Sequence, residues 1–150
     1  MKYTCEVIIK LPIAKVIELF INPDNLGKWQ EGFISSDLKE GEAGKTGAKT
    51  ALKYNMNNSD IEMTETILVN DLPDEYSALY ESTGVKNWFY NYFEEKGADQ
   101  TLWKTSSIFK FSGLMAFFSI FLKKAFVKQT YNDMTSFKNF AENLMDQQNH

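Results

Sequence analysis

The fold turns on one stretch, Thr101-Leu102-Trp103-Lys104-Thr105-Ser106-Ser107-Ile108-Phe109-Lys110-Phe111-Ser112-Gly113-Leu114-Met115-Ala116-Phe117-Phe118-Ser119-Ile120-Phe121-Leu122. Up to Phe111, Trp103, Thr105, Ser107, Phe109 and Phe111 alternate with Lys104, Ser106, Ile108 and Lys110, the period of a strand with two unlike faces. Ser112-Gly113 ends the strand. No Gly or Pro interrupts Leu114–Gln148, so everything to about residue 146 reads as helix, with a frayed tail from Asp146 to His150. Val127, Tyr131, Met134, Phe137, Ala141, Leu144 and Met145 form one apolar stripe along its second half. A helix of ~34 residues is about 50 Å long, and it needs a broad apolar surface to lie on.

The chain upstream supplies that surface. Residues 3–11 alternate as a first strand, with Tyr3, Cys5, Val7, Ile9 and Leu11 on one face. Pro12 opens a helix whose apolar positions are Ile13, Val16, Ile17 and Phe20, and Asn22-Pro23-Asp24-Asn25 breaks it before a short turn through Leu26 and Trp29. Six more strands follow: Ile34–Lys39, Ala48–Met56, Ile61–Asn70, Tyr76–Thr83, Val85–Glu95 and Thr101–Phe111. The turn signals between them include the Gly41–Gly47 connection, Asn57-Asn58, Pro73-Asp74, Gly84 and Gly97-Ala98-Asp99. Connections this short join antiparallel neighbours. Residues 1–150 therefore read as a single α+β domain, a seven-stranded antiparallel sheet grasping one long helix.

Composition excludes several classes of function. A formal net charge of −4 leaves no basic excess to neutralise phosphates, so nucleic acid is not an expected partner. Every basic residue is Lys, so no guanidinium fork exists for bidentate anion recognition. His150 is the only imidazole and Cys5 the only thiol. No His-based triad or zinc set can be assembled, and neither a metal nor a cofactor is expected. Cys5 on an inward strand position reads as core. Gly44-Lys45-Thr46 lacks the glycine five residues before the Gly-Lys pair and sits between strands, so it reads as a hairpin and not a phosphate loop. With no apolar signal core near Met1 and no 18-residue apolar run, the expected location is the cytoplasm.

The order strand, two short helices, six strands, long helix resembles the START-like (SRPBCC) superfamily, which includes polyketide cyclase/dehydrase-like proteins and plant allergen lipid binders. The resemblance is carried by Pro12–Phe20 followed by Asn22–Trp29, by the Glu40–Gly47 hairpin, by Met63-Thr64-Glu65-Thr66-Ile67, and by Thr101–Phe111 leading into the last helix. It covers nearly the whole chain. It implies a helix-grip fold: a curved sheet around the C-terminal helix, with two short helices after the first strand. The function it implies is binding or carrying a small apolar or amphipathic molecule, lipid- or polyketide-like. It leaves open a cyclase/dehydrase-type enzyme and a protein-interaction or stress-response module.

One helix cannot fill the concavity of a strongly bent sheet, and the remaining volume is the expected pocket. Alternation directs inward Ile34 and Leu38; Thr50, Leu52, Tyr54 and Met56; Ile61, Met63, Glu65, Ile67 and Val69; Asn87, Phe89, Asn91 and Phe93; and Trp103, Thr105, Ser107, Phe109 and Phe111. From this set Leu52, Tyr54, Met63, Glu65, Asn87, Phe89, Asn91, Trp103, Thr105 and Ser107 are expected to contact ligand, with Phe118 from the helix. Glu65 and Tyr54 are the only candidates for moving a proton. Glu65 has three readings: it orients the polar end of a ligand, sits outward on a bulge, or pairs with Lys53 or Lys104. Asn87 and Asn91 orient ligand or tie the sheet together, and the facing of Tyr76–Thr83 stays open. The wholly apolar run Leu114–Leu122 either lines the cavity and packs on Asn22–Trp29 or the hairpin tips, or stays exposed to meet a membrane or protein transiently, or joins two copies. It is too short to span a bilayer.

Overall fold

The computed structural model describes residues 1–148; His150 lies outside them. Seven strands form one antiparallel sheet: β1 (Lys2–Ile9), β2 (Phe33–Glu40), β3 (Lys49–Met56), β4 (Ser59–Asp71), β5 (Glu75–Ser82), β6 (Val85–Glu95) and β7 (Thr101–Phe111). Their order is β1-β7-β6-β5-β4-β3-β2. Every consecutive pair from β2 to β7 is thus a hairpin, and β1 closes against β7. Asn57 and Asn58 both adopt positive φ in the two-residue turn from β3 to β4, as a turn matching strand twist requires. Helix α1 (Ile13–Ile21) follows β1, and a 3₁₀ turn at Pro23–Asn25 leads into α2 (Leu26–Trp29). Asn22 caps that turn by accepting the Asp24 N–H.

The C-terminal helix departs from the expected unbroken rod. A single turn, α3 (Leu114–Phe117), ends at Phe118, and α4 (Ser119–Gln148) begins directly after it. Two contacts fix this junction to the sheet. Met115 seats over Gly84, where an added Cβ would stand 2.8 Å from its Cγ. Phe126 stacks on Phe109 and Phe111, with centroids 4.7 and 6.1 Å away.

Packing is uneven. The solid half joins β1, β6, β7, α1, α2 and the second half of α4, through Val7, Ile9, Val16, Leu19, Trp29, Phe93, Trp103, Met134, Phe137 and Ala141. Phe20 is its aromatic hub, in contact with the rings of Trp29, Tyr76, Phe93, Trp103 and Phe137. Tyr131, expected on the buried stripe of α4, is instead exposed. The inward face rotates through Thr130, Met134, Phe137 and Ala141, which leaves Tyr131 on its flank. The other half, under β2 to β5, is hollow.

Candidate functional site

The hollow is a cavity of about 1600 Å³ between the concave sheet face and α4. That exceeds the roughly 300–1,000 Å³ of most small-molecule pockets. Register explains how the walls are built, because residues paired across antiparallel strands share a face. One row crosses the concave face as Thr50, Glu65, Tyr80 and Asn87, ending on Phe109. A second runs Ile67, Ala78 and Phe89 to Ser107. A third runs Asn70, Tyr76 and Asn91 to Thr105. Leu52 and Met63 pair beside the first row, and Tyr54 pairs with Ile61. The Tyr76–Tyr80 strand thus turns Tyr76, Ala78 and Tyr80 inward, which alternation alone left open.

Of the residues expected to contact ligand, Leu52, Tyr54, Met63, Glu65, Asn87, Phe89, Asn91 and Trp103 lie on the cavity wall. Three others do not. Thr105 and Ser107 point inward but are fully buried, Thr105 against Cys5 and Met134 and Ser107 in register with Tyr3. Their end of the sheet is covered by α4 and belongs to the solid half. Phe118 is 55% exposed; it terminates α3 and leaves the cavity to Met115 and Phe126. Val69 also departs from the inward set. A bulge between Ile67 and Val69 adds one residue to β4, which turns Val69 outward and Asn70 inward. A second irregularity between Phe33 and Ser35 puts Phe33 opposite Tyr54 while leaving Ile34 on the exposed rim.

The polar groups of the wall divide into those that are satisfied and those that are not. Asn91 is structural: its Nδ2 donates to the Tyr76 carbonyl at 3.1 Å, and its Oδ1 accepts from Trp103 Nε1 at 3.0 Å. Tyr54 Oη donates to Gln30 Oε1 at 2.7 Å, tying β3 to the residue after α2. Glu65 faces inward and accepts from Tyr80 Oη at 2.7 Å. Neither lysine considered for it is its partner: Lys53 pairs with Glu62 on the convex face, and Lys104 is exposed there. Burial pushes the Glu65 carboxyl above the usual carboxylate range, against the opposing pull of the Tyr80 hydroxyl. Burial first, and the Glu65 charge second, push the Tyr54, Tyr76 and Tyr80 hydroxyls upward, so all three remain neutral donors. Asn87 Oδ1 is buried without any hydrogen-bond partner.

The sequence reading missed the roof. Helix α4 contributes Phe126, Gln129, Thr130, Asp133 and Met134 to the cavity. Asp133 Oδ1 accepts from the Glu31 backbone N–H at 3.3 Å and from Gln129 Nε2 at 3.1 Å. Burial outweighs these bonds and pushes its carboxyl up to about 6. The spacing of Gln129 and Asp133, one turn apart and flanking Thr130 and Met134, was the available signal. Tyr3 Oη reaches Thr130 Oγ1 at 2.8 Å and pins the roof to β1. Helix α2 packs on this second half of α4, Trp29 against Phe137 and Lys28 over the Phe140 ring. The first half meets no such partner, and Leu114, Phe117, Ile120 and Phe121 are each at least 77% exposed.

Among the described residues no thiol or imidazole lines the cavity, and no three His, Cys, Asp or Glu side chains are grouped so as to hold a metal ion. Cys5 is half-buried, and desolvation raises its thiol, the opposite of activation.

A helix grip around a hollow defines the class of architecture, and solved structures agree. The chain superposes on the Zhui aromatase/cyclase from Streptomyces sp. R1128 with a TM-score of 0.80 at 11% identity, over 95% of this chain and 93% of that one. It matches Ara h 8.0201 with a TM-score of 0.77 at 13% identity, over 95% and 98%. A START superfamily protein from Mycobacterium smegmatis gives 0.77 at 9% identity, over 95% and 98%. The fold is therefore the START-like helix-grip fold that the sequence resembles. No family model and no curated protein matches the sequence.

Proposed function

We propose that this protein binds and carries a small apolar or amphipathic molecule in the cavity between sheet and α4. The observation that supports it is the unfilled volume itself, walled by large apolar side chains in a fold that has a well-packed core elsewhere. A chain folding for stability alone would fill such a space, since each fully buried large apolar side chain contributes roughly 1.5–3 kcal/mol. Leu52, Met63, Phe89 and Trp103 hold the apolar body of the ligand, and Tyr54, Glu65 and Asn87 meet its polar end. Native mass spectrometry of the purified protein, followed by organic extraction, tests this. A co-purified lipid-like species, or stoichiometric uptake of an uncharged fluorescent apolar probe, is expected. A protein that takes up neither is not a carrier. The aromatase/cyclase neighbour makes turnover worth assaying on any species recovered, with Glu65 and Tyr54 as the residues to substitute.

The carrier reading extends to the exposed start of the C-terminal helix. Leu114, Phe117, Phe118, Ile120 and Phe121 project into solvent beside Met115, which lines the cavity. Between Asp99 and Asp133 the chain carries five lysines and no carboxylate, although the whole molecule is acidic. An apolar ridge followed along the same helix by Lys123, Lys124 and Lys128 suits an anionic lipid surface. Among the described residues no helix is long and apolar enough to cross a membrane, so the contact is with the surface.

A further inference from the structure

The charges facing the cavity are all of one sign. The protein has 16 lysines, yet among the described residues no Lys, Arg or His lines the cavity, whereas Asp24, Glu31, Glu65, Glu81 and Asp133 do. Asp24 and Glu31 are exposed at the rim, and Glu81 is paired with Lys86. Glu65 and Asp133 are different. One rises from the middle of the sheet floor and the other descends from the roof, and Tyr54 lies close enough to feel both carboxylates. Neither has a cationic partner; they are held only by Tyr80, by Gln129 and by one backbone N–H.

Unpaired carboxylates in a withdrawn site are costly. Apolar residues at these two positions would line a pocket for a purely apolar ligand equally well. Each carboxylate keeps an oxygen free of protein donors, and Asn87 Oδ1, two strands from Glu65 in the same cross-sheet row, is a buried acceptor with no donor. The Tyr80 and Tyr54 hydroxyl protons are already given to Glu65 and Gln30. Three acceptor oxygens are thus left over inside the cavity; the Tyr76 hydroxyl and the Asn87 amide N–H are there as well, but neither carries the positive charge that two unpaired carboxylates call for.

We propose that the molecule carried here is a cationic amphiphile, with an apolar body against Leu52, Met63 and Phe89 and a protonated amine directed to Glu65 and Asp133. This rests on the carrier reading and narrows it. A fatty acid or other anionic amphiphile is the wrong partner, because its head would enter a cavity with no cation and two like charges. An alcohol of the same length falls between, since it donates one hydrogen bond without charge. A protonated amine donates up to three and lets both carboxylates ionise, reversing the upward shift that burial imposes.

The test uses three probes with one apolar body, decylamine, decanol and decanoate, each displacing the uncharged dye N-phenyl-1-naphthylamine from the full chain at pH 7. Decylamine should displace the dye at a concentration at least about tenfold below decanoate, with decanol between. In Glu65→Gln/Asp133→Asn, which keeps both shapes, the gap between decylamine and decanoate should close to within about twofold. Decanoate binding as tightly as decylamine overturns the proposal and leaves the carrier reading intact. So does an amine preference that survives in the double variant, because it then reflects the net negative charge of the whole protein. If neither dye nor decanol binds, the carrier reading itself fails, and this proposal with it. Circular dichroism of the double variant confirms that the comparison is between folded proteins.

Discussion

Trp103 is the residue at which the solid and hollow halves meet. Its ring is 1% exposed, stacks on Phe93 at 5.7 Å and meets Trp29 and Phe137 edge-on, while its Nε1 is satisfied by Asn91. Trp103→Ala should cost about 3–5 kcal/mol in urea unfolding and also weaken binding of an uncharged apolar dye. If both stay unchanged, Trp103 does not form this wall. Asp133 gives a second prediction, on pH. Facing it are the Glu31 N–H and carboxylate, the Gln129 amide on its own helix and the Tyr54 hydroxyl across the cavity. Its folded pKa of about 6 lies above the ordinary value of about 4, so the native state holds the proton more tightly than the unfolded chain. Stability from this group is therefore full below pH ~4, falls between about 4 and 6, and is lost above. Asp133→Asn should raise stability by about 1–3 kcal/mol at pH 7.5 and by almost nothing at pH 3.5; an equal gain at both values would refute the argument. Glu65 was legible in the sequence because strand alternation placed it among Met63 and Ile67. Asp133 was not, because a lone acid on a long helix looks solvated until the unfilled space beneath it is known.

At the scale of elements, the seven strands and the hairpins from β2 to β7 followed from local signals, since alternation and Asn or Gly turns act within a few residues; the closure of β1 against β7 joins residues about a hundred apart and did not. Two departures depended on how elements pair and not on any one element alone. The bulge that turns Val69 out exists only in the pairing of β4 with β5, and neither strand announces it alone. Likewise, a run apolar on all sides reads as buried on all sides. What exposes Leu114, Phe117, Phe118, Ile120 and Phe121 is that α2 packs further along, on the second half of α4, and among the described residues no element covers their side of the first half. This unopposed ridge carries the lipid-surface reading. Vesicles of phosphatidylcholine with anionic phosphatidylglycerol should sediment the protein, and pure phosphatidylcholine should do so markedly less. Phe117→Asp/Phe121→Asp should abolish sedimentation without lowering the melting temperature, because both side chains are already in water. A protein that is a stable dimer and ignores both vesicle types would show instead that a second copy covers the ridge.

For the whole molecule, the division into a solid and a hollow half has a dynamic consequence. Strands β6 and β7 pair along eleven successive positions and are backed by the aromatic cluster around Phe20. Strand β2 is a sheet edge with two register shifts, and Ile34 and Leu38 along it are about half exposed. Local opening is governed by how much apolar contact an opening breaks, and over the cavity that contact is missing on one face. Amide hydrogen exchange should therefore rank the strands: β7 and β6 protected to near the global unfolding free energy, β3 and β4 less, and β2 least. Ligand supplies the absent contacts, so filling the cavity should slow exchange in β2 to β4 far more than in β6 and β7, and raise the melting temperature with the logarithm of ligand concentration over its dissociation constant. Uniform slowing across all seven strands would mean that the sheet opens only as one unit. Protection confined to Leu114–Phe121 would place the bound molecule on the outer ridge and not inside. A gradient that flattens as the cavity fills is the outcome required of a protein whose loading site is the part of its own core left unbuilt.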